Sequence, residues 1–231
     1  MKKNLVKKAA ICMTVAMCVG NFSPTAGGNV RVYAATVEIS DDTIGKYVSQ
    51  GYENPEYGFK VQLPESYVLE ARESAVNLVE DETEDVVEKS NKDGAYAQVR
   101  LSAMNGATVF AADSENTTVI ISLQTPGIGK DYWDEEEVIA ESTAATYEQS
   151  LKDSIGDAGE ITDFEMNHET FDFLGKTHAR GLLKCQINGI PYYAEEIYMR
   201  AEDKKTILSI SIGGFDADEL IEAESYFTTM E

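Results

Sequence analysis

Few side chains in this sequence are suited to nucleophilic or general-base chemistry. Beyond residue 18 it holds one cysteine, Cys185, and two histidines, His168 and His178. A thiolate beside an imidazole is the pairing that thiol-dependent catalysis requires, so the placement of these three decides whether it is available. Asn188-Gly189, set between two β-rich runs, reads as a two-residue hairpin turn. It pairs Ile187 with Ile190 and Cys185 with Tyr192. Leu183, Cys185, Ile187, Ile190, Tyr192 and Ala194 then share one apolar face, on which Cys185 is a small core side chain. His178 lies an odd number of residues from Cys185 and points to the opposite face. With an even-length turn around Gly175, His168 shares the face of Cys185 but sits ~13 Å along the strand, too far for proton transfer. An odd-length turn would instead bring it to the face of His178, where an imidazole pair could take a metal. Two solvent-exposed histidines are the plainer expectation.

Other chemistries find little support. The GIG at 127–129 lacks the lysine and spacing of a phosphate loop. Glu195 and Glu196 are neighbours in a strand and face opposite ways, which removes the obvious carboxylate pair. Asp81, Glu82, Glu84 and Asp85 could hold Ca²⁺ weakly, without the spacing of an EF-hand. No catalytic, cofactor-binding or metal-ligating residue is assigned, and the alternative of a hydrolase or metal-dependent enzyme would need scattered residues. Aromatic side chains carry much of the energy of protein recognition. Alternation puts Tyr193 on the face opposite Tyr192, beside Lys184 and Glu195, and Trp133 stands at a helix start; these two are the candidate contacts for a protein partner.

The elements that must position these residues are read from periodicity. Tyr57, Phe59, Val61 and Leu63 alternate with polar residues until Pro64 ends the strand, and residues 67–72 continue as a second. Three β-rich runs, 95–104, 107–113 and 117–124, suggest an antiparallel meander. Trp133, Ala140, Ala144, Tyr147, Leu151 and Ile155 then recur at three or four residues, the pattern of one main helix, whose Asp134 to Glu137 suit the positive end of the helix dipole. Strands follow over 161–173, through Gly175 into 177–187, through Asn188-Gly189 into 190–200, and over 206–214. Asp216 with Glu219 reads as an N-cap and capping-box partner for a last helix. Residues 80–94 are an acidic loop or short surface helix.

The start of the chain resembles an export signal. Lys2, Lys3, Lys7 and Lys8 precede an apolar run from Ala9 to Val19, too short to span a bilayer, and Val32 and Ala34 suit a signal peptidase. The expected organisation is a signal peptide over 1–34, cut after Ala34 or Ala35, a flexible linker over 35–53 and a single domain over 54–231. A lipid-anchored form beginning at Cys18 is the alternative, disfavoured by the bulky Met17. Cleavage after Ala34 removes five basic residues and no acid, so 14 basic residues face 41 acidic ones and the charge moves from −22 to −27. Such a chain repels nucleic acid and anionic headgroups. Cys185 is then the sole cysteine, no internal disulfide can form, and the fold depends on core burial.

An aromatic-Gly-Phe strand ending in Leu-Pro (Tyr57, Gly58, Phe59, Leu63, Pro64), the meander, the mid-chain helix and a terminal helix closing on Ser225-Tyr226-Phe227 together resemble PsbP-like domains. The resemblance covers about residues 54 to 230. It implies an α+β fold, an α/β/α sandwich with a central antiparallel sheet, of the kind used to bind a protein partner. It transfers no functional residue, and the acidic stretch near Glu80 departs from the family pattern. The expectation is therefore a secreted or cell-surface accessory domain that binds a protein, without cofactor, nucleic acid or mature membrane segment.

Overall fold

The computed structural model describes residues 45–70, 107–112, 117–124, 134–140, 144–155, 159–202 and 206–230. Its organising element is a seven-stranded antiparallel sheet in the order β4-β5-β6-β10-β9-β8-β7. The strands are β4 (Val68–Glu70), β5 (Ala107–Ala112), β6 (Thr118–Gln124), β7 (Ile161–Phe173), β8 (Lys176–Ile187), β9 (Ile190–Arg200) and β10 (Ile207–Gly214). A second, four-stranded sheet joins β1 (Lys46–Val48), β2 (Gly51–Asn54), β3 (Phe59–Gln62) and β11 (Phe227–Thr229) in the order β1-β2-β3-β11. Among the described residues three helices accompany them: α1 (Glu135–Ala140), α2 (Ala144–Ile155) and α3 (Ala217–Glu224). None is long and apolar enough to cross a membrane.

The two hairpins that carry β7, β8 and β9 follow from their turns. Leu174-Gly175 and Asn188-Gly189 all have positive φ, between 53° and 78°, the conformation of a two-residue type I′ turn whose twist matches that of the flanking strands. Gly fills the second position of each turn without the penalty a side chain would meet there. The resulting register pairs Ile187 with Ile190 and Cys185 with Tyr192, as read from the sequence. The first turn is even in length, so His168 lies opposite Gly181 and Phe171 opposite His178. The two histidines therefore face opposite sides of the sheet, and no imidazole pair forms.

Alternation divides the large sheet into two buried faces. On one, Leu183, Cys185, Ile187, Tyr192 and Ala194 pack with Tyr147 and Leu151 of α2, while Val138 and Ile139 of α1 meet Ala179, Tyr198 and Ile207. On the other, Ile197, Met199, Leu208, Ile210 and Ile212 pack with Tyr52, Phe59 and Val61 of the small sheet, Phe227 of β11, and Leu220 and Ala223 of α3. The architecture is the expected α+β class, built on antiparallel sheet. One outer layer, however, is a mixture of helix and sheet instead of helix alone.

Several local readings change. Lys46–Val48 and Gly51–Asn54 are paired strands, so the segment read as a linker to residue 53 ends in ordered sheet: Tyr52 lies opposite Val61, and its buried ring anchors the hairpin. The periodicity taken for one helix is divided between α1 and α2. Asp216 does cap α3 by accepting the Asp218 N–H, but Glu219 accepts from the Thr117 hydroxyl at 2.6 Å and does not close a capping box. The capping box occurs instead at α1, where Asp134 and Glu137 each accept the other's backbone N–H at 2.9 Å. Ile190, expected on the apolar face, is 43% exposed because it sits at the hairpin tip. The run over 95–104 and the acidic stretch over 80–94 lie outside the described residues.

Cys185 is 1% exposed, and burial pushes its thiol up to about 12. The Cys185 thiol of native protein should consequently react with a thiol reagent at least tenfold more slowly than that of denatured protein. Equal rates would mean that the β8–β9 register is wrong.

Candidate functional site

The centre of β9 carries two adjacent carboxyl groups, Glu195 and Glu196, 1% and 2% exposed. Consecutive strand residues point to opposite faces, so each lies in a different interior. Burying a carboxylate is costly unless it gains partners or a proton, and the structure supplies a different solution on each face.

On the face toward α3, Glu195 meets Arg180. The hairpin register sets Arg180 opposite Ile197 on β9 and opposite Glu169 on β7, so it lies one diagonal step from Glu195. Its Nη1 donates to Glu195 Oε2 at 3.2 Å and to Glu224 Oε1 of α3 at 3.4 Å, while Nε and Nη2 engage Glu169. The guanidinium carbon stands 3.9 Å from the centre of the Phe171 ring, which holds the fork flat. One cation thus serves three carboxyl groups. Burial first, and the Glu224 charge next, push Glu195 up to about 8 against the opposing pull of Arg180. Its Oε1 has no hydrogen-bond partner among the described residues, and a proton there turns it into a donor toward Glu224. A protonated Glu195 still accepts from Arg180 through its other oxygen.

On the face toward α2, the Tyr147 hydroxyl donates to Glu196 Oε2 and lies 3.5 Å from the Tyr198 hydroxyl. Burial, followed by the Glu196 charge, raises the Tyr198 phenol well above its ordinary value, so it stays protonated. A third, half-buried polar group closes one end of the sheet. Pairing of β8 with β9 stops at Ala179 and Tyr198, and there Glu135 of α1 accepts the N–H of Ala179 at 3.2 Å and of Arg200 at 2.8 Å. Its carboxylate also meets His178 Nδ1 at 3.0 Å. A side-chain carboxylate thereby takes the place of the missing ladder rung.

Of the residues singled out from sequence, Cys185 is core and His168 is exposed at the sheet margin. His178, expected in solvent, is buried against Glu135 and edge-on to Phe173. Tyr193 is half-buried and packs against the larger core, so it offers only part of its ring to a partner. Trp133 and the acids at 81–85 lie outside the described residues. Arg180, Glu224 and Glu135 were not singled out. Arg180 could have been found, since the Asn188-Gly189 register already places it diagonal to Glu195 on the same face. Among the described residues no group of three or more His, Cys, Asp or Glu is arranged to hold a metal ion.

Fold and buried polar groups together define an antiparallel α+β sandwich domain with ionisable groups sealed at its layer contacts. Among solved structures the chain is similar to PsbP (CyanoP) from Synechocystis sp. PCC 6803, with 12% identity over 78% of this chain and 91% of that one, TM-score 0.43. It is also similar to LpqN of Mycobacterium tuberculosis, involved in cell envelope biogenesis, with 10% identity over 75% and 83% of the two chains, TM-score 0.36. Likenesses of this strength add nothing to the case for a function. No family model and no curated protein matches the sequence.

Proposed function

We propose that this protein is an exported accessory domain that works at the cell surface by binding a protein partner. The observation that carries the reading is β7: a thirteen-residue strand at the margin of the large sheet, with only Ile161 and Phe173 buried along it. Margins this long are ordinarily shortened, covered or bent away, because an open ladder is a template for pairing. Export is supported by the lysine-rich start, the short apolar run and the Val32 to Ala34 cleavage pattern. The Glu195 and Glu196 sites are closed to solvent, which suits support of the packing better than turnover of a substrate.

N-terminal sequencing of protein recovered outside the cytoplasm should find a start at Ala35 or Thr36, and cross-linking on intact cells should join the mature chain to one envelope or secreted protein. Retention of Met1 would refute export. A start at Cys18 would replace the secreted form by a lipid-anchored one. Absence of any cross-linked protein under conditions where the chain is surface-exposed would remove the partner.

A further inference from the structure

We propose that the open edge of β7 receives an extended, lysine- or arginine-rich segment of a partner protein as an added β-strand. The inference rests on reading the chain as a partner-binding domain and specifies the chemistry of that partner. In a two-residue hairpin the residues flanking the turn exchange both hydrogen bonds, and bonded pairs then alternate along the ladder. Phe173 and Lys176 are that pair, so the odd-numbered residues of β7 from Phe173 back to Glu165 bond to β8. The backbone N–H and C=O groups of Met166, Thr170 and Asp172 point away from the sheet. The register shift between Thr162 and Glu165, with Asp163 at φ 52°, ends the regular edge on the other side. Among the described residues no strand pairs with the remaining edge, which is about the length of one docked strand.

Charge selects the occupant. β7 contains Asp163, Glu165, Glu169 and Asp172 and no lysine or arginine. Glu169 is held by Arg180, but among the described residues Asp163 and Asp172 are met by the neutral Gln186 amide and Thr177 hydroxyl, at 2.6 Å and 3.0 Å, which leave their charge in place. Glu165 is exposed opposite Lys184. Acids at an edge deter a second copy of the same chain, because β7 against β7 would set like charges in adjacent strands. The same acids favour a basic strand, whose main chain completes the ladder while its side chains lie beside them.

The test is amide hydrogen exchange on the mature chain with three synthetic peptides of equal length: alternating Lys-Val, alternating Lys-Pro and alternating Glu-Val. The Lys-Val peptide should slow exchange at Met166, Thr170 and Asp172 at least fivefold, and the other two should not. Thr170→Pro removes an outward N–H without touching the β8 ladder and should abolish the effect. The exposed pair Glu165→Lys with Asp172→Lys should weaken it at least tenfold, which keeps the test decisive if the proline variant does not fold. Equal protection by Lys-Pro would reduce the effect to charge attraction and overturn the docking. Protection that rises with protein concentration without peptide would make the occupant a second copy and overturn it likewise. Failure of all three peptides, with a cross-linked partner mapped elsewhere on the surface, would sink this proposal and leave the partner-binding reading standing.

Discussion

The protein should lose stability as pH rises from about 4.5 to about 8, and Glu195→Gln should remove that part of the loss. Burial beside Glu224 raises the folded-state value of Glu195 from 4.5 to about 8, so between those values the native state holds a proton that the unfolded chain has released. Stability falls with pH wherever the native state binds more protons. The contribution is fully present below about 4.5, is lost progressively across the window, and is level above about 8. A displacement of this size corresponds to a ceiling on the order of 5 kcal/mol. Glutamine resembles the protonated carboxyl: it accepts from Arg180 and offers an amide N–H to Glu224. The variant should match the parent near pH 5 and exceed it in stability above pH 8. Denaturant unfolding of both chains at several pH values provides the check, and the difference between the two curves cancels the titration of the other acids. A difference curve that is flat from pH 4.5 to 8.5, or one of opposite slope, would show that Glu195 is already ionised in the native state.

Glu135→Ala should destabilise the fold by about 2–4 kcal/mol, a large effect for a position on a six-residue helix. The carboxylate is the partner of two backbone N–H groups where β8 and β9 part, and of His178 Nδ1. Truncation leaves buried donors without an acceptor, each costing roughly 1–3 kcal/mol, offset in part by whatever water enters. Glu135→Gln should recover part of the loss, since its carbonyl oxygen still accepts from one or both N–H groups. Glu136→Ala, exposed in the same helical turn, should change stability by no more than about 0.5 kcal/mol. Equilibrium unfolding of the three variants separates the outcomes. If Glu135→Ala is as harmless as Glu136→Ala, the carboxylate is not a structural rung.

Much of the sheet was legible in the residues themselves. Asn188-Gly189 sets a register, and register with period-two alternation determines which side chains share a face. That is why the burial of Cys185, its pairing with Tyr192 and the opposed directions of Glu195 and Glu196 all appear in the structure. The same logic separated His168 from His178 once the turn at Leu174-Gly175 proved even in length.

Tertiary structure decided what covers each face, because periodicity says that a side is buried and not which distant segment buries it. Tyr52 looked like part of a polar linker; only pairing with Val61 across β2 and β3 makes it core. His178 looked exposed until Glu135, 43 residues away, closed over it. Glu195 is buried and meets Arg180 of β8 and Glu224 of α3, and its proton affinity follows from that burial and convergence. Alternation along a strand is a property of neighbouring bonds and is written locally. The desolvation and Coulomb energies that set the behaviour of a buried carboxyl are sums over groups distant in sequence, and they exist only when the chain has closed around it.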